Sequence, residues 1–171
     1  MTKHDFDRME KLYYLKKSKV HGTGIFAARD IKKGEKMIEY IGEKITAEEG
    51  KRREKISMEK AKQNNSSGAI YTFELDDKYY IDGNIPGNDA KYMNHSCNGN
   101  CESDIVNEKI WVYAKRDITK DEELAYDYGF TAEEALEHPC MCGSEGCIGY
   151  IVDSDEKEKL KKILEERKLK Q

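Results

Sequence analysis

Eight residues, Cys140 to Cys147 (CMCGSEGC), hold three of the chain's five cysteines; the other two are Cys97 and Cys101. A disulfide scaffold uses an even number of cysteines spread over the chain, so an odd count confined to the C-terminal half argues against one. Cys140 and Cys142 lie two apart, poorly placed to bridge each other but well placed to grip one ion from a tight turn. Thiolates at this spacing point to zinc, and a closed tetrahedral site takes four ligands. CxCx4C supplies three, so the fourth comes from elsewhere, and Cys97, Cys101 and His138 all qualify chemically.

Three more segments combine unusual residue types: HGTG at 21–24, NHSC at 94–97 and AYDYGF at 125–130. Alone, Gly22 and Gly24 of HGTG read as residues that shape a hairpin. The motif does not open a helix after a strand, as a dinucleotide fingerprint does, so NAD is disfavoured. Alone, the tyrosine pair reads as core or sheet-surface aromatics, and His95 as a satisfied structural histidine.

The elements that must position these residues are mostly strands. Apolar or alternating runs at 12–16, 24–28 and 36–45, separated by the turns HGTG and KKGE, predict β-structure. Thr46 and Glu49 form a capping box for a charged helix over 47–62, and QNNSSG is the flexible connection after it. Strands are predicted again at 70–75 and 78–81 around an Asp76–Asp77 turn, and at 105–106 and 110–115. Thr131 and Glu134 cap a short helix ending near Glu137. A final Lys/Glu-rich helix over 154–170 has a narrow stripe, Leu160, Ile163 and Leu164, that packs it on the body. The KRREK run at 51–55 reads as a solvated helix face.

A chain of 171 residues suits one folding unit with a proper core. Thirty basic against thirty-four acidic residues give a net charge of −4, without the basic excess of a nucleic-acid binder. No run of eighteen apolar residues occurs, and the first twenty residues lack a signal-type apolar core, so the expectation is an intracellular protein, or one exported by a route the sequence does not show, without membrane attachment.

In order along the chain, KVHGTGIFAARDIKKGEKMIEYIGE, GNDAKYMNHSC and DEELAYDYGF resemble the SET-domain protein lysine methyltransferases. PCMCGSEGC resembles the post-SET zinc site of the trithorax-like branch, in a minimal single-domain form. The resemblance covers about residues 12–152. It implies an α+β fold, mainly β with short helices, in which small sheets surround a C-terminal pseudoknot. In that knot the segment around 124–130 threads past the loop holding 94–97, a rare exception to the rule against knots. The implied organisation is a SET domain over 12–130, a post-SET segment over 131–152 and a C-terminal helix over 153–171.

The activity implied is methyl transfer from S-adenosyl-L-methionine to a lysine amine, with one structural zinc ion. In-line displacement needs amine and sulfonium in near-attack geometry, with the amine unprotonated. A free lysine has a pKa of about 10.4. A narrow aromatic channel beside a cation disfavours the ammonium form by desolvation and like-charge repulsion. The resemblance assigns Tyr128 to the position beside the transferring methyl and Tyr40 to another wall. Tyr126 falls where a phenol obstructs further methylation, so monomethylation is favoured. His21, Gly22, Gly24, Tyr71, Asn94 and His95 fall on cofactor positions, and Cys97 becomes the fourth zinc ligand with Cys140, Cys142 and Cys147. Departures from the family pattern are mild at Lys91 and Tyr92, while Ser103 stands where some members carry another channel aromatic.

The expected partner is a basic, lysine-bearing protein, a histone tail or histone-like chromatin protein, with no direct nucleic-acid contact. An activating subunit or a homodimer is compatible with the resemblance. The acidic residues Glu74, Asp76, Asp77, Glu122 and Glu123 favour a lysine-rich peptide added as a strand beside 70–75. The compartment implied is the nucleus or chromatin in a eukaryotic cell, or in the host of an exported effector, and otherwise the cytoplasm. The competing readings are a catalytically silent, zinc-stabilised peptide-binding module and a methyltransferase for a nonhistone basic protein.

Overall fold

The computed structural model describes residues 12–63 and 70–169. Along them run strands β1 (Tyr13–Lys17), β2 (Thr23–Ala27), β3 (Lys36–Tyr40), β4 (Glu43–Thr46), β5 (Thr72–Glu74), β6 (Tyr79–Asp82), β7 (Asn94–His95), β8 (Cys101–Val106), β9 (Lys109–Ala114) and β10 (Glu123–Tyr126). Helix α1 (Ala47–Gln63) follows β4, and α2 (Lys157–Leu169) comes last. The fold is thus mainly β, in several small sheets. Most of the QNNSSG connection, from residue 64 on, and the last residue of the predicted final helix lie outside the described residues.

Where the length suggests one folding unit, the chain divides into two compact ones, interleaved in sequence. Of the described residues, the first takes in those up to Glu35, Tyr92–Glu102 and those from Tyr113; the second takes in those of Lys36–Lys91 and Ser103–Val112. Neither follows a single stretch of sequence.

In the first unit, β1 and β2 form an antiparallel hairpin from Tyr13↔Ala27 to Lys17↔Thr23. The sheet order is β1-β2-β10-β7, with β10 antiparallel to β2 and parallel to β7 through Ala125↔Asn94 and Tyr126↔His95. Period-two alternation turns Leu124 and Tyr126 inward, and Ile25, Ala27 and Leu124 have no exposed surface. A separate small core joins Ala132, Ala135 and Val152 to Leu160 of α2, with Leu136, Ile148, Tyr150, Ile163 and Leu164 packed around it. The predicted stripe of α2 is therefore the face that is covered. The short helix after Thr131 is a 3₁₀ turn, Glu134–Glu137, and its reciprocal cap forms: Glu134 accepts from the Thr131 N–H, and its own N–H donates to the Thr131 hydroxyl.

In the second unit, β4, β6 and β5 form an antiparallel sheet in that order, leaving β5 at an edge. Helix α1 packs on β6 through Gly50, where a Cβ would lie 2.6 Å from the Tyr80 ring. The Glu49 N–H donates to the Thr46 hydroxyl at 3.2 Å, which forms the predicted helix cap. Strands β3, β9 and β8 make a third sheet in that order. The single run predicted at 36–45 splits in two at Ile41–Gly42. A side chain on Gly42 would meet the Asp82 carbonyl at 2.2 Å, so glycine is required where the backbones close up. β8 starts four residues before the predicted 105, because its polar run Glu102–Asp104 hides the strand from an apolar pattern. Tyr40, Leu75, Ile81, Ala90 and Ile110 form the core.

Candidate active site and metal centre

The first unit brings HGTG, NHSC and AYDYGF together on one sheet. The Asn94 carboxamide of β7 donates to the carbonyls of His21 (3.2 Å) and Thr23 (3.4 Å) and to Glu123 Oε1 (2.8 Å). One side chain therefore holds the glycine turn against β10. The two glycines serve different purposes. Gly22 has φ +49°, a left-handed conformation, whereas a Cβ on Gly24 would lie 2.5 Å from Glu123 Oε1 and 3.1 Å from Ser18 Cβ. Close packing around Gly24 is thus a third reason for a glycine there, beside the hairpin and cofactor readings of the sequence.

Tyr128 is fixed at both ends. Its N–H donates to His95 Nδ1 (3.2 Å), and its hydroxyl donates to the Met93 carbonyl (2.9 Å). Its ring lies 5.2 Å from that of Tyr126 and meets His95 edge-on at 5.3 Å and Phe130 at 6.1 Å. Tyr126 and His95 are buried, and burial, reinforced by the charge of Lys157, pushes the imidazole down to about 4, so it is neutral. Burial also raises the Asp127 carboxyl beside it. Asn100, which no motif singled out, closes the site from behind. Its Nδ2 donates to the Glu123 carbonyl (2.9 Å) and its Oδ1 accepts from the Ala125 N–H (3.0 Å), so it clasps the β10 backbone on both sides of Leu124. The only sequence sign was an asparagine between two turn-forming positions and a cysteine.

The thiols of Cys97, Cys140 and Cys142 cluster with His95, their ligand atoms all within 4.8 Å of one another. Cys97 Sγ is 3.8 Å from Cys140 Sγ. Cys147, the fourth predicted thiol, is near enough to help push both of these thiols up, but it is not among the four residues whose ligand atoms lie mutually within 4.8 Å, where His95 stands instead. Neither Cys101, whose buried thiol donates to Asn100 Oδ1, nor His138, tilted against the Phe130 ring, belongs to the cluster. Burial and neighbouring thiols push Cys97 strongly up. Cys140 is pushed up to about 12, chiefly by burial. Burial raises Cys142 as well, but hydrogen bonds led by the Ser144 hydroxyl at 2.9 Å outweigh it and bring the thiol down to about 6. Backbone N–H groups of Cys142 and Gly149 point at the sulfurs of Cys140 and Cys147, both at 3.4 Å. Gly143, Gly146 and Gly149, all at positive φ, let the loop turn tightly enough to do this. Crowded sulfurs that oppose one another's ionisation yet receive N–H donors fit a soft divalent cation, which relieves the repulsion between thiolates.

Tyr40 and Tyr71 belong to the second unit. The Tyr40 hydroxyl donates to the Tyr71 carbonyl (2.6 Å), which also accepts from the Gly83 N–H (2.8 Å). A Cβ at Gly83 would strike the Tyr40 ring at 2.3 Å, so glycine there makes room for the phenol. Of the acidic residues expected to greet a peptide, three are engaged internally. Glu122 pairs with Arg116 at 2.8 Å, Glu123 holds Asn94, and Asp76 accepts from the N–H groups of Lys78 and Tyr79. Glu74, at the end of edge strand β5, receives only a long 3.4 Å bond from the Tyr80 hydroxyl.

Residues 22–129 match the family model described as SET domain. Relatives include the histone-lysine N-methyltransferase trr of Drosophila melanogaster, 43% identical over 143 residues, or 81% of this chain and 6% of that protein. A histone-lysine N-methyltransferase of Schizosaccharomyces pombe, described as H3 lysine-4 specific, is 41% identical over 78% of this chain and 14% of its own length. Human histone-lysine N-methyltransferase 2D is 40% identical over 81% of this chain and 2% of its own. The chain thus spans a small fraction of the curated relatives it matches. With the glycine turn, the NHSC strand and the tyrosine strand joined in one sheet inside the matched region, the chain belongs to the SET-domain family.

Proposed function

We propose that this chain is an S-adenosyl-L-methionine-dependent protein lysine N-methyltransferase that modifies a histone tail or a histone-like chromatin protein and favours monomethylation. The observation that carries the reading is Tyr128, tied at its amide and its hydroxyl to residues 95 and 93 and ringed by Tyr126, Phe130 and His95. The cosubstrate supplies an electrophilic methyl group on a sulfonium. The protein's part is to strip water from the incoming amine, which disfavours its charged form, and to hold its lone pair in line. Tyr128 and Tyr126 present phenols that orient the nitrogen. The HGTG turn, with Asn94 and His95, serves the cosubstrate. Cys97, Cys140, Cys142 and Cys147 hold a structural zinc ion that orders residues 131–152 beyond the SET domain at 12–130. Helix α2 supports that segment through Leu160.

The relatives' names support a histone substrate, and the H3 lysine-4 label printed for the fission-yeast protein makes that tail the first to test. Edge strand β5, with Glu74 at its end, suits a lysine-rich peptide added as a strand. In a eukaryotic cell the site of action is chromatin. No helix among the described residues is long and apolar enough to cross a membrane.

The test is to incubate the purified chain with radiolabelled cosubstrate and a panel of histones and other basic proteins, beside a Tyr128→Phe variant. Label on a histone lysine that depends on Tyr128 supports the reading. Label only on nonhistone proteins moves the substrate, and cosubstrate binding without transfer replaces the enzyme with a peptide-binding module.

A further inference from the structure

The imidazole of His95 is buried in β7, and both of its nitrogens face a defined partner. Nδ1 lies 3.2 Å from the Tyr128 backbone nitrogen. A backbone N–H can only donate, so Nδ1 accepts, and in a neutral imidazole the one proton then sits on Nε2. Nε2 lies 3.3 Å from Cys97 Sγ, at which that N–H is aimed. The other groups around the ring do not compete for it. Asp127 Oδ1 stands 3.7 Å from Nδ1, beyond hydrogen-bond reach, and is itself taken by the Gly129 N–H at 3.1 Å. The Tyr128 ring presents only an edge-on contact. With Nδ1 protonated instead, two N–H groups would be set against each other.

We infer that His95 is a positioning residue that joins the thiol cluster to Tyr128, donating Nε2–H to the Cys97 sulfur and accepting the Tyr128 N–H at Nδ1, and is not itself a metal ligand. The inference rests on the reading of the cluster as a zinc site in a methyltransferase. It sets the hydrogen bonds of the ring against proximity, which groups a His95 nitrogen with the sulfurs of Cys97, Cys140 and Cys142 within 4.8 Å. An outer N–H donor lowers the charge on a ligating thiolate and fixes its direction, and losing one weakens metal binding by about 10–100-fold. At the other end, the stretch from Met93 to His95 receives both the hydroxyl and the amide of Tyr128. A displacement of Cys97 therefore reaches that phenol through two hydrogen bonds and one strand.

The experiment uses the full chain loaded with zinc alone. Long-range nitrogen–proton NMR on ¹⁵N-histidine protein is expected to show His95 with protonated Nε2 and bare Nδ1, and X-ray absorption at the zinc edge to show four sulfur ligands. Two variants divide the functions of the ring. His95→Gln places a carboxamide N–H near the Nε2 position, so zinc affinity stays within a few-fold of wild type while the Tyr128 amide resonance moves. His95→Asn places a carboxamide oxygen near Nδ1, so the Tyr128 amide keeps its position while zinc affinity falls by about 10–100-fold. A zinc-bound imidazole nitrogen, a protonated Nδ1, or parallel loss of both properties in both variants overturns the inference and leaves the methyltransferase reading standing. A wild-type chain that transfers methyl groups but binds no zinc also overturns it, and one that does neither overturns both.

Discussion

A phenol tied down at amide and hydroxyl keeps its ring in one place without help from substrate, and Tyr128 is tied in this way to the stretch just before Cys97. Removing the hydroxyl releases one tie and one orienting dipole. Tyr128→Phe is expected to lower the single-turnover methyl-transfer rate on the order of 100-fold, the cost of misplacing a reacting group by about 1 Å. Its neighbour acts on the product. In the proposed reaction the buried Tyr126 fills space that a second methyl would need, so Tyr126→Phe is expected to shift the product from mono- towards di- and trimethyl-lysine. Intact-mass analysis of a histone peptide reads this directly, and an unchanged monomethyl product would take Tyr126 out of the channel.

Strand β10 is the middle of the first unit's sheet, and its backbone is held from outside the ladder by Asn100. Asn100→Ala leaves the Glu123 carbonyl and the Ala125 N–H without that partner, and each buried polar group left unmatched costs about 1–3 kcal/mol. Urea unfolding should show a loss of that order, while an equal loss on Asn98→Ala, at a more exposed position, would deny Asn100 its clasping role. Local signals were legible: the alternation in β2 and β9, the Thr46 cap of α1 and the apolar stripe of α2 all took the form their residues dictate. Pairings between distant segments were not. Nothing in NHSC or AYDYGF states that Asn94 lies beside Ala125 in parallel register, because such pairing is decided by long-range packing rather than by neighbours in sequence. For the same reason Glu122 and Glu123 read as surface charge available to a peptide, when one pairs with Arg116 and the other holds Asn94. The cysteine spacing announced a metal, but the position of His95 among the thiols appeared only in three dimensions.

The molecule as a whole depends on charge pairing and on the C-terminal thiol cluster. Arg116, aided by N–H and hydroxyl donors from Thr119, holds the Glu122 carboxyl down at about 2, against about 4.3 for a free glutamate. The folded-state value is the lower one, so this stabilisation is present above about pH 4.3 and is lost as the pH falls towards 2. Glu122→Gln should therefore lower the melting temperature at neutral pH and flatten its acid limb, as calorimetry across that range will show. Chelation of the purified chain is expected to open residues 131–152 to protease and to lower the melting temperature, with both effects reversed by added zinc; a chain indifferent to chelator has no structural metal. Finally, β10 takes its place between β2, made about a hundred residues earlier, and β7. On the ribosome, the hairpin of β1 and β2 must wait with one edge bare until Glu123 has left the exit tunnel. Any nascent polypeptide stalled before that point displays an open strand to its neighbours, so the first unit completes only late in translation and is a natural client for chaperones until then.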